Sequence, residues 1–339
     1  MSQKKNLIII NNEKVSQIGN KFFCDNLDMK TIPEGLSDTF EILFIGRKSN
    51  DKKSHLINIK KIETKSNILA FLTSVLKTFK NKHTDYLLIS ITPYTFFSYL
   101  ILFLLRKKIF VYLRSNGYEE YKAILGFIGP LIYHLMYICV TSGSKIILCQ
   151  ERLAKKKKSD LVFPSEIDNS WLSNTTVPIL DKPRLLYIGR IKVEKGVFSL
   201  FNIYENLKNN ASLTVVGDSG NLKVLPNKEI DFRGYGFNSV DLKKIYDEHN
   251  ILILPSFTEA HPKVIDESLA RMRPVIIFEE IKHVINNKLG IFISKRNTDS
   301  LAEVINHIMK NYSIIQSEMK KNLLPTKQDF INKMSEILR

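Results

Sequence analysis

Short apolar runs alternate with helix-length segments along most of this chain, and the alternation limits the folds that the chain can adopt. Such runs lie at residues 7–10, 86–91 and 109–113 in the first half, and at residues 184–188 and 251–254 in the second. A strand–helix rhythm of this kind predicts mainly parallel sheets with helices on both faces. We therefore predict an α/β fold of two facing, doubly wound, Rossmann-like parallel-sheet domains with a cleft between them.

One segment, residues 164–183, interrupts this rhythm. It is rich in Ser, Asn, Asp, Thr and Pro and shows no period, which is typical of a connection between domains. We predict a first domain at residues 1–168, a linker at residues 169–183 and a second domain at residues 184–339, whose last helix is a candidate to pack back on the first domain. Ligands of open α/β sheets bind beyond the carboxyl ends of the strands, so functional residues are expected in the loops after the strands.

The chain is basic, and its charge is unevenly distributed. Residues 1–180 carry 26 Lys and Arg against 15 Asp and Glu, a net charge of +11, and residues 181–339 carry 24 against 19, a net charge of +5. An anionic partner, either nucleic acid or a membrane surface, is one interpretation, and a solvated lysine-rich surface is the other. We predict no nucleic-acid partner, because no recognisable binding module is present. Three scattered cysteines fit a cytoplasmic chain without a disulfide framework.

A long apolar run at residues 86–105 has the length of a membrane-spanning helix. Pro93 interrupts it, with Ser and Thr residues nearby. The run also divides into a strand, a turn and a helix, so we predict a buried strand and helix. The apolar run at the start of the chain is too short for a signal peptide.

A first cluster of polar residues follows the strand at residues 184–188. Gly189 permits an unusual turn at the strand end, while Arg190 and Lys195 supply positive charge before the following helix. Helix N-termini favour anions, and two added cations suit a diphosphate. The alternative interpretation is an ordinary solvated loop.

A second cluster follows the strand at residues 251–254. Glu259 lies in the predicted loop, Pro262 suits the first turn of a helix, and Glu267 lies inside that helix. Carboxylates accept hydrogen bonds from sugar hydroxyls, and the free N–H groups of a helix start can bind phosphate. The alternative is a capping Glu259 and a Glu267 on the surface.

Together these segments resemble the family 4 glycosyltransferases, which are group 1 glycosyl transferases with the GT-B fold. Residues 255–277 are similar to the donor-site signature of that family, in which two glutamates are separated by seven residues between a Pro-Ser strand end and a Pro-Val-Ile strand. Residues 189–196 resemble its phosphate-binding segment, and residues 215–218 resemble its next glycine turn. The resemblance covers residues 184–293 and is weak over residues 1–180.

The resemblance implies roles for the polar residues of the second half. Arg190 and Lys195 would hold the donor diphosphate, Glu259 would bind the transferred sugar, and Glu267 would bind the nucleotide ribose. The first three are the candidate catalytic residues. The predicted donor site comprises Gly189, Arg190, Lys195, Gly217, Tyr235, Glu259, His261, Pro262, Lys263, Val264 and Glu267.

Some positions are ambiguous or depart from the pattern of the family. Tyr235 lies in a turn that matches the base-contacting region, and His261 either contacts the sugar or only begins the helix. Ala260 and His261 stand where glycine and an apolar or aromatic residue are frequent. Residues 271–273 precede Pro274 where a glycine is often found.

The first half offers two acceptor-side candidates. Residues 16–19 follow the first predicted strand, where the family has a glycine-bearing loop, so Gly19 is a candidate. Arg114 follows another predicted strand. It binds either an acidic group of the acceptor, the donor phosphate, or a partner within its own loop.

The sequence predicts no metal site and no cofactor. Its seven histidines are dispersed, and it contains no Asp-x-Asp triplet that would chelate magnesium with a diphosphate. This pattern fits a metal-independent transfer in which cations and helix N-termini neutralise the leaving diphosphate. The resemblance implies a UDP- or GDP-linked sugar as co-substrate and retention at the anomeric carbon, through same-face attack.

We therefore predict a retaining hexosyltransferase that moves a sugar from a nucleotide sugar to a glycan or lipid-linked acceptor, in surface polysaccharide or lipopolysaccharide synthesis. Apolar segments and excess positive charge in the first half predict peripheral association with the anionic inner face of the cytoplasmic membrane. Alternatives are a GT-B-like nucleotide-sugar epimerase, a nucleic-acid-binding protein and an inactive sugar-binding scaffold.

Overall fold

The computed structural model describes residues 4–80, 83–207, 210–218, 229–234 and 236–339. The chain forms two compact units. The first runs to Pro164 and also includes Gln328–Arg339, and the second comprises Ser165–Lys327.

Strands and helices alternate through both units, as the sequence predicts. The strands are β1 (Lys5–Ile18), β2 (Lys21–Cys24), β3 (Phe40–Ser49), β4 (His55–Ile57), β5 (Lys61–Lys65), β6 (Thr84–Ile89), β7 (Ile109–Leu113), β8 (Lys145–Leu148), β9 (Asp160–Leu161), β10 (Arg184–Ile188), β11 (Ser212–Val216), β12 (Asp231–Arg233), β13 (Ile251–Leu254), β14 (Val275–Phe278) and β15 (Ile291–Ser294). The helices are α1 (Asp28–Leu36), α2 (Ile68–Lys77), α3 (Pro93–Leu104), α4 (Gly117–Leu125), α5 (Gly129–Ser142), α6 (Asn169–Leu172), α7 (Val197–Tyr204), α8 (Ser239–Glu248), α9 (Lys263–Ala270), α10 (Thr298–Lys310), α11 (Tyr312–Met319) and α12 (Lys327–Leu338).

The first unit is built around a parallel sheet with the order β5-β3-β1-β6-β7-β8-β9. Its central strands β6 and β7 are buried along their whole length, which explains why they read as unbroken apolar runs. Helices α1 to α5 connect the strands, and α12 joins this unit from the far end of the chain. The doubly wound prediction is therefore confirmed for this half.

The first strand differs from its prediction. β1 continues to Ile18, so residues 16–18 are strand and not the expected loop, and they pair antiparallel with β2. Gly19 lies in the turn of this hairpin with φ of +57°, a backbone conformation that glycine adopts without strain. The signal that was missed is the turn itself, because residues 19–20 separate two strand-forming runs.

The second unit has six parallel strands in the order β12-β11-β10-β13-β14-β15. The chain order reverses between β10 and β13, which are neighbours in the sheet. In open α/β sheets this switch point is where the loops on either side diverge and leave a crevice for a ligand. The loops after β10 and β13 are the ones that carry the two polar clusters.

The predicted linker, residues 169–183, has more structure than expected. It contains α6, and Trp171 is 1% exposed within the apolar core of the second unit. Its indole Nε1 donates a hydrogen bond to Ser239 Oγ at 3.0 Å. The second unit accordingly begins at Ser165 and not at residue 184. Trp171 anchors this polar segment in the core, and Arg271 donates hydrogen bonds to the Trp171 and Ser173 carbonyl oxygens.

The membrane-length run resolves into a strand and a helix, as predicted, but only the strand is wholly buried. The prediction of a buried helix is wrong for the end of that helix, where Phe103 and Leu104 are 52% and 78% exposed. Residues 84–89 form β6, and α3 begins after a capping box in which Thr92 and Thr95 exchange hydrogen bonds. One other segment, Gly117–Ser142, is long and apolar enough to cross a membrane by length and composition alone. This segment consists of two helices, α4 and α5, joined by a short 3-10 turn.

Candidate active site in the second unit

The loops after β10 and β13 meet at the switch point of the sheet. The two strands pair at Leu186 and Leu252, so their carboxyl ends lie side by side. The Phe257 backbone N–H donates to the Glu194 carbonyl oxygen at 3.0 Å. This bond joins the two loops directly.

Two glycines allow the backbone segments of this site to approach one another closely. A Cβ atom at Gly196 would lie 1.9 Å from the Pro255 carbonyl oxygen, and one at Gly217 would lie 1.9 Å from the Gly189 carbonyl oxygen. Gly196 also has φ of +64°, in the left-handed region. Only glycine fits such positions, so the residues after β10, β11 and β13 converge because they lack side chains there.

Lys195 and Glu259 form an ion pair across the two loops. Lys195 Nζ lies 2.6 Å from Glu259 Oε1, and Ser256 Oγ donates to the same oxygen at 2.7 Å. The two side chains are 21% and 10% exposed, so each is partly shielded and still reachable. The structure therefore brings together one predicted phosphate-binding cation and the predicted sugar-binding carboxylate.

The backbone of Glu259 is also fixed. His283 Nε2 lies 2.8 Å from the Glu259 carbonyl oxygen, and His283 belongs to a 3-10 segment after β14. Contacts from three neighbouring βα connections thus position this carboxylate. Such support is what a binding group needs if it is to hold one geometry.

Glu267 is buried inside α9 and not on the surface. The residue is 6% exposed, and Tyr246 Oη donates a hydrogen bond to its Oε2 at 2.9 Å. Burial raises the pKa of Glu267 above its ordinary value, although the charge of Lys263 and the Tyr246 hydrogen bond work in the opposite direction. A buried carboxyl with a raised pKa is costly for stability and is characteristic of functional sites.

Next to this carboxyl lies a buried group that the sequence analysis did not single out. Asp266 is 2% exposed, its Oδ2 lies 3.2 Å from His261 Nε2, and its Oδ1 pairs with Lys288. Burial alone would raise the pKa of Asp266, but hydrogen bonds and charge from His261 and Lys288 hold it below its ordinary value. No local sequence pattern predicts the burial and pairing of Asp266, because its partner Lys288 is distant in sequence.

The remaining predicted donor residues occupy different positions around α9 and β10. Pro262 is the N-cap residue of α9, and Lys263 and Val264 are its first residues. Lys263 Nζ lies 3.5 Å from Glu166 Oε1. Arg190 has an exposed side chain, and its carbonyl oxygen accepts a hydrogen bond from Tyr187 Oη at 2.8 Å. Tyr235 lies outside the described residues.

The acceptor-side candidates belong to the first unit. Arg114 Nε lies 3.0 Å from Asp28 Oδ2, which is on α1, so Arg114 pairs outside its own loop. Burial works to lower the pKa of Arg114, but the charges of Asp28 and its neighbours raise it above the ordinary value. Gly19 lies in the β1–β2 turn. The acceptor roles of both residues stay predictions.

In the described part of the chain, no group of three or more His, Cys, Asp or Glu side chains is arranged to hold a metal ion. Lys195, the exposed Arg190 in the same loop and the start of α9 are groups that suit an anion.

Sequence comparison finds similarity to known glycosyltransferases in the half of the chain that carries the two polar clusters. Residues 182–311 match the family model of "Glycosyl transferases group 1". An uncharacterized glycosyltransferase of Methanocaldococcus jannaschii is 26% identical over 39% of this chain and 37% of that protein. A putative teichuronic acid biosynthesis glycosyltransferase of Bacillus subtilis is 27% identical over 44% of this chain and 38% of its own length. The chain thus aligns with less than half the length of these curated relatives.

Solved structures resemble the whole chain. A sucrose-phosphate synthase from Thermosynechococcus elongatus has a TM-score of 0.71 at 14% identity and covers 98% of both chains. Anabaena HepE, solved with UDP and glucose, has a TM-score of 0.70 at 12% identity and covers 98% of this chain and 99% of its own. The predicted GT-B fold is confirmed by these structures. The whole chain thus has the GT-B fold, and residues 182–311 are similar to the group 1 glycosyltransferases.

Proposed function

We propose that this protein is a retaining, metal-independent family 4 hexosyltransferase. It transfers a sugar from a UDP- or GDP-linked donor to a glycan or lipid-linked acceptor, in surface polysaccharide or lipopolysaccharide synthesis. The reaction takes place in the cytoplasm, at the inner face of the cytoplasmic membrane. The observation that carries the proposal is the contact between Lys195 and Glu259 at the switch point of the second sheet.

This contact supports the proposal because of the chemistry of its two ends. A lysine ammonium has three donors, so Lys195 can keep its bond to Glu259 and still donate to a phosphate oxygen. Glu259 lies beside that position and accepts hydrogen bonds, as a sugar hydroxyl requires. A diphosphate on Lys195 and Arg190 therefore brings its attached sugar to Glu259.

In the proposed reaction the acceptor hydroxyl oxygen attacks the anomeric carbon from the face that the diphosphate leaves. The bond between that carbon and the diphosphate oxygen breaks, and the departing phosphate takes the proton of the acceptor. Arg190, Lys195 and the N–H groups at the start of α9 stabilise the negative charge that develops on the diphosphate. Glu259 orients the sugar throughout.

Glu267 is proposed to bind the ribose of the donor. Its buried carboxyl already accepts a hydrogen bond from Tyr246, and ribose hydroxyls would supply further donors. Those bonds favour the ionised form and so offset part of the desolvation that raises its pKa. This explains why a costly buried carboxyl occurs at this position.

The names of similar proteins agree with a nucleotide-sugar donor and a surface glycan. Anabaena HepE has also been solved with UDP-glucose, a B. subtilis relative is assigned to teichuronic acid biosynthesis, and WaaG, a structural neighbour with a TM-score of 0.63, is involved in lipopolysaccharide biosynthesis. These names belong to those proteins, and they guide the choice of donors and acceptors to test.

A donor screen tests the proposal. The purified protein is incubated with UDP- and GDP-sugars and with glycan or lipid-linked acceptors, and products are followed by mass spectrometry and by NMR of the anomeric proton. We expect a glycosylated acceptor that keeps the anomeric configuration of the donor, with chelator present. An inverted product, or transfer that needs an added divalent ion, would contradict the retaining or the metal-independent part of the proposal.

A nucleotide-sugar epimerase is the second candidate. A putative UDP-N-acetylglucosamine 2-epimerase from Listeria monocytogenes has the same fold, with a TM-score of 0.55 at 12% identity. An epimerase needs no acceptor, so incubation with the donor alone separates the two candidates. Epimerised sugar nucleotide supports this candidate, whereas slow hydrolysis supports a transferase.

A further inference from the structure

The first unit exposes a cluster of large apolar side chains on α4, α5 and the turn between them, here called the apolar hairpin (Gly117–Ser142). At its turn Ile124 is 74% exposed and Phe127 is 89% exposed. Along α5, Leu131, Leu135 and Ile138 are 62%, 63% and 45% exposed and recur at helical spacing on one face. A contiguous apolar surface of this kind marks an interaction site.

The hairpin is folded back on itself, so it is not a membrane-spanning helix. Tyr118 Oη lies 2.8 Å from His134 Nδ1, and a Cβ atom at Gly129 would lie 2.0 Å from the Tyr121 carbonyl oxygen. In a continuous helix, residues sixteen positions apart would be about 24 Å apart. Helices α4 and α5 contain 9 and 14 residues, each fewer than the roughly 20 residues that cross a bilayer.

The opposite face of α5 is buried in the first unit. Tyr133, Met136, Tyr137 and Val140 are each at most 7% exposed, and Tyr137 Oη donates to the Leu153 carbonyl oxygen at 3.0 Å. The hairpin is therefore anchored on one face and presents a second apolar face outward. A helix on the surface of a soluble protein is ordinarily apolar on its inner face alone.

Lysines border this surface, together with Glu119 and Glu120 at the start of α4, whereas its centre has no charged residue. Residues 123–140 contain no Lys, Arg, Asp or Glu. Lys122 precedes them in α4, and the run Lys155–Lys158 is attached to the base of the hairpin, where Lys155 Nζ lies 3.2 Å from the centroid of the Tyr118 ring. Apolar side chains bordered by lysines suit the boundary between acyl chains and anionic headgroups.

We propose that the apolar hairpin is a membrane-docking surface that inserts into one leaflet of an anionic lipid bilayer, with Lys122 and Lys155–Lys158 against the headgroups. The protein then attaches to one side of the membrane without crossing it. This inference rests on the membrane location given in the proposed function and names the surface responsible for it. Its test can fail separately from the proposed reaction, because it concerns the first unit and needs no substrate.

A native cysteine allows a direct test. Cys139 is exposed on α5, whereas Cys24 and Cys149 are buried, so a thiol-reactive, environment-sensitive fluorophore labels the hairpin in the otherwise unmodified full chain. We expect its emission to shift to the blue with vesicles of equimolar phosphatidylcholine and phosphatidylglycerol. The control is Cys139→Ser with Leu323→Cys, which moves the label to an exposed site in the second unit, and its emission should not change. Equal shifts from both labels, or no shift from Cys139, would overturn the proposal.

Serine substitutions measure how much the apolar side chains of the hairpin contribute to vesicle binding. Phe127→Ser, Leu131→Ser and Leu135→Ser combined should weaken vesicle binding by roughly tenfold or more, because three apolar side chains no longer enter the leaflet. The matched control replaces Val177, Ile314 and Leu323, which are 90%, 67% and 97% exposed in the second unit, with serine, and it should bind as the unaltered protein does. All six side chains are exposed, so both variants are expected to fold, and circular dichroism with thermal unfolding of each variant checks this.

Charge reversal measures how much the lysines contribute to vesicle binding. Lys156→Glu with Lys158→Glu should lower affinity for the anionic vesicles by roughly tenfold or more, and added salt should weaken the binding of the unaltered protein. Lys310→Glu with Lys320→Glu, exposed lysines of the second unit, is the control. Binding that ignores lipid charge would overturn the proposal. So would a dimer that dissociates in the triple serine variant while vesicle binding is unchanged, since a second copy would then cover the surface.

Discussion

The two units depart from ordinary residue placement in opposite ways. The second unit buries charged side chains, among them Asp266, Glu267, Arg271 and Arg273, each at most 6% exposed. The first unit exposes large apolar side chains in succession along α3, α4 and α5, with Phe127 at 89% and Leu104 at 78%, whereas those of the second unit, such as Val177 and Leu323, are scattered along the chain. Charged residues are rarely buried unless paired, and large exposed apolar patches are rare on soluble proteins.

This comparison shows that a buried charge, or an exposed apolar side chain, has to be judged by whether other groups of the protein compensate it. Arg271 Nη2 lies 2.6 Å from Asp247 Oδ2, and its Nη1 donates to the Trp171 and Ser173 carbonyl oxygens, so this charge is compensated within the unit. Glu267 has one hydrogen bond from Tyr246 and a raised pKa, so its compensation is incomplete. In the first unit, the exposed face of the hairpin lacks an apolar covering. The incompletely compensated places are the candidate binding sites.

The largest expected effect on stability comes from removing one partner of a buried ion pair. Arg271→Ala should lower the free energy of unfolding by about 4 kcal/mol, because it removes both hydrogen bonds to Asp247 and leaves three carbonyl oxygens without this donor. Chemical denaturation followed by circular dichroism measures this. Arg233→Ala is the matched control, since Arg233 pairs with Asp231 and Glu248 at the surface, and it should cost less than about 1 kcal/mol. Equal losses would show that burial does not distinguish the two arginines.

The next effect is on catalysis. Glu259→Ala should lower the transfer rate by about a hundredfold, because the donor sugar loses its orienting carboxylate next to the developing charge. Binding of the bare nucleoside diphosphate should be spared. Rates with the donor in excess, together with calorimetric binding of the nucleoside diphosphate, separate the two effects. A transfer rate like that of the unaltered protein would remove Glu259 from the mechanism.

A smaller effect on stability is expected at Glu267, whose buried carboxyl is incompletely compensated. Glu267→Gln keeps an oxygen for the Tyr246 hydrogen bond and removes the buried charge, so it should raise the free energy of unfolding by about 1 kcal/mol at pH 8. It should also weaken nucleotide binding, as expected of a residue that is retained for function at a cost in stability.

The pH dependence of the stability of Glu267→Gln follows from the direction in which the pKa of Glu267 is shifted. The pKa of Glu267 is raised in the folded state, so the cost of its ionised form is fully present above the folded pKa. The cost disappears as pH falls through the folded pKa to the unfolded value, where both states are protonated. The advantage of the Gln variant should therefore shrink as the medium becomes acidic. A constant or growing advantage at low pH would contradict a raised pKa.

The smallest effect is expected in the first unit. Phe127→Ser should change the free energy of unfolding by less than about 0.5 kcal/mol in solution, because the side chain is already solvated. Phe110→Ser is the matched control at a residue that is 0% exposed, and it should cost several kcal/mol. Thermal and chemical unfolding of the two variants provide the measurement. A large loss for Phe127→Ser would mean that the hairpin surface is covered within the protein.

Much of the fold could be predicted from periodicity. Fully buried parallel strands such as β6, β7 and β13 appear as unbroken apolar runs between helical patterns. The β1–β2 hairpin was missed because β1 runs on through polar residues 11–14. The boundary of the second unit was missed because Trp171 reaches a core that is assembled from residues far along the chain.

Part of the candidate site could likewise be predicted from local sequence patterns, and part could not. Lys195 and Glu259 were predicted from loops after strands, and they meet because those strands are neighbours at the switch point. The pairing of Asp266 with His261 and Lys288, and the burial of Glu267, depend on tertiary packing that no local pattern reveals. Met272, one of the residues that precede Pro274, adopts φ of +58°, a conformation that glycine adopts without strain, so the backbone there has the form that suits the glycine expected from the resemblance. The cleft between domains and the acceptor site stay predictions.

One titration tests the central claim most directly, that the loops after β10 and β13 hold a single nucleotide sugar. Calorimetry measures the binding of a nucleoside diphosphate and of its sugar nucleotide to the unaltered protein, to Glu267→Ala and to Glu259→Ala. The account predicts that Glu267→Ala weakens both ligands, whereas Glu259→Ala weakens the sugar nucleotide and leaves the bare nucleotide unchanged. If both variants bind both ligands as the unaltered protein does, the account of this site is wrong.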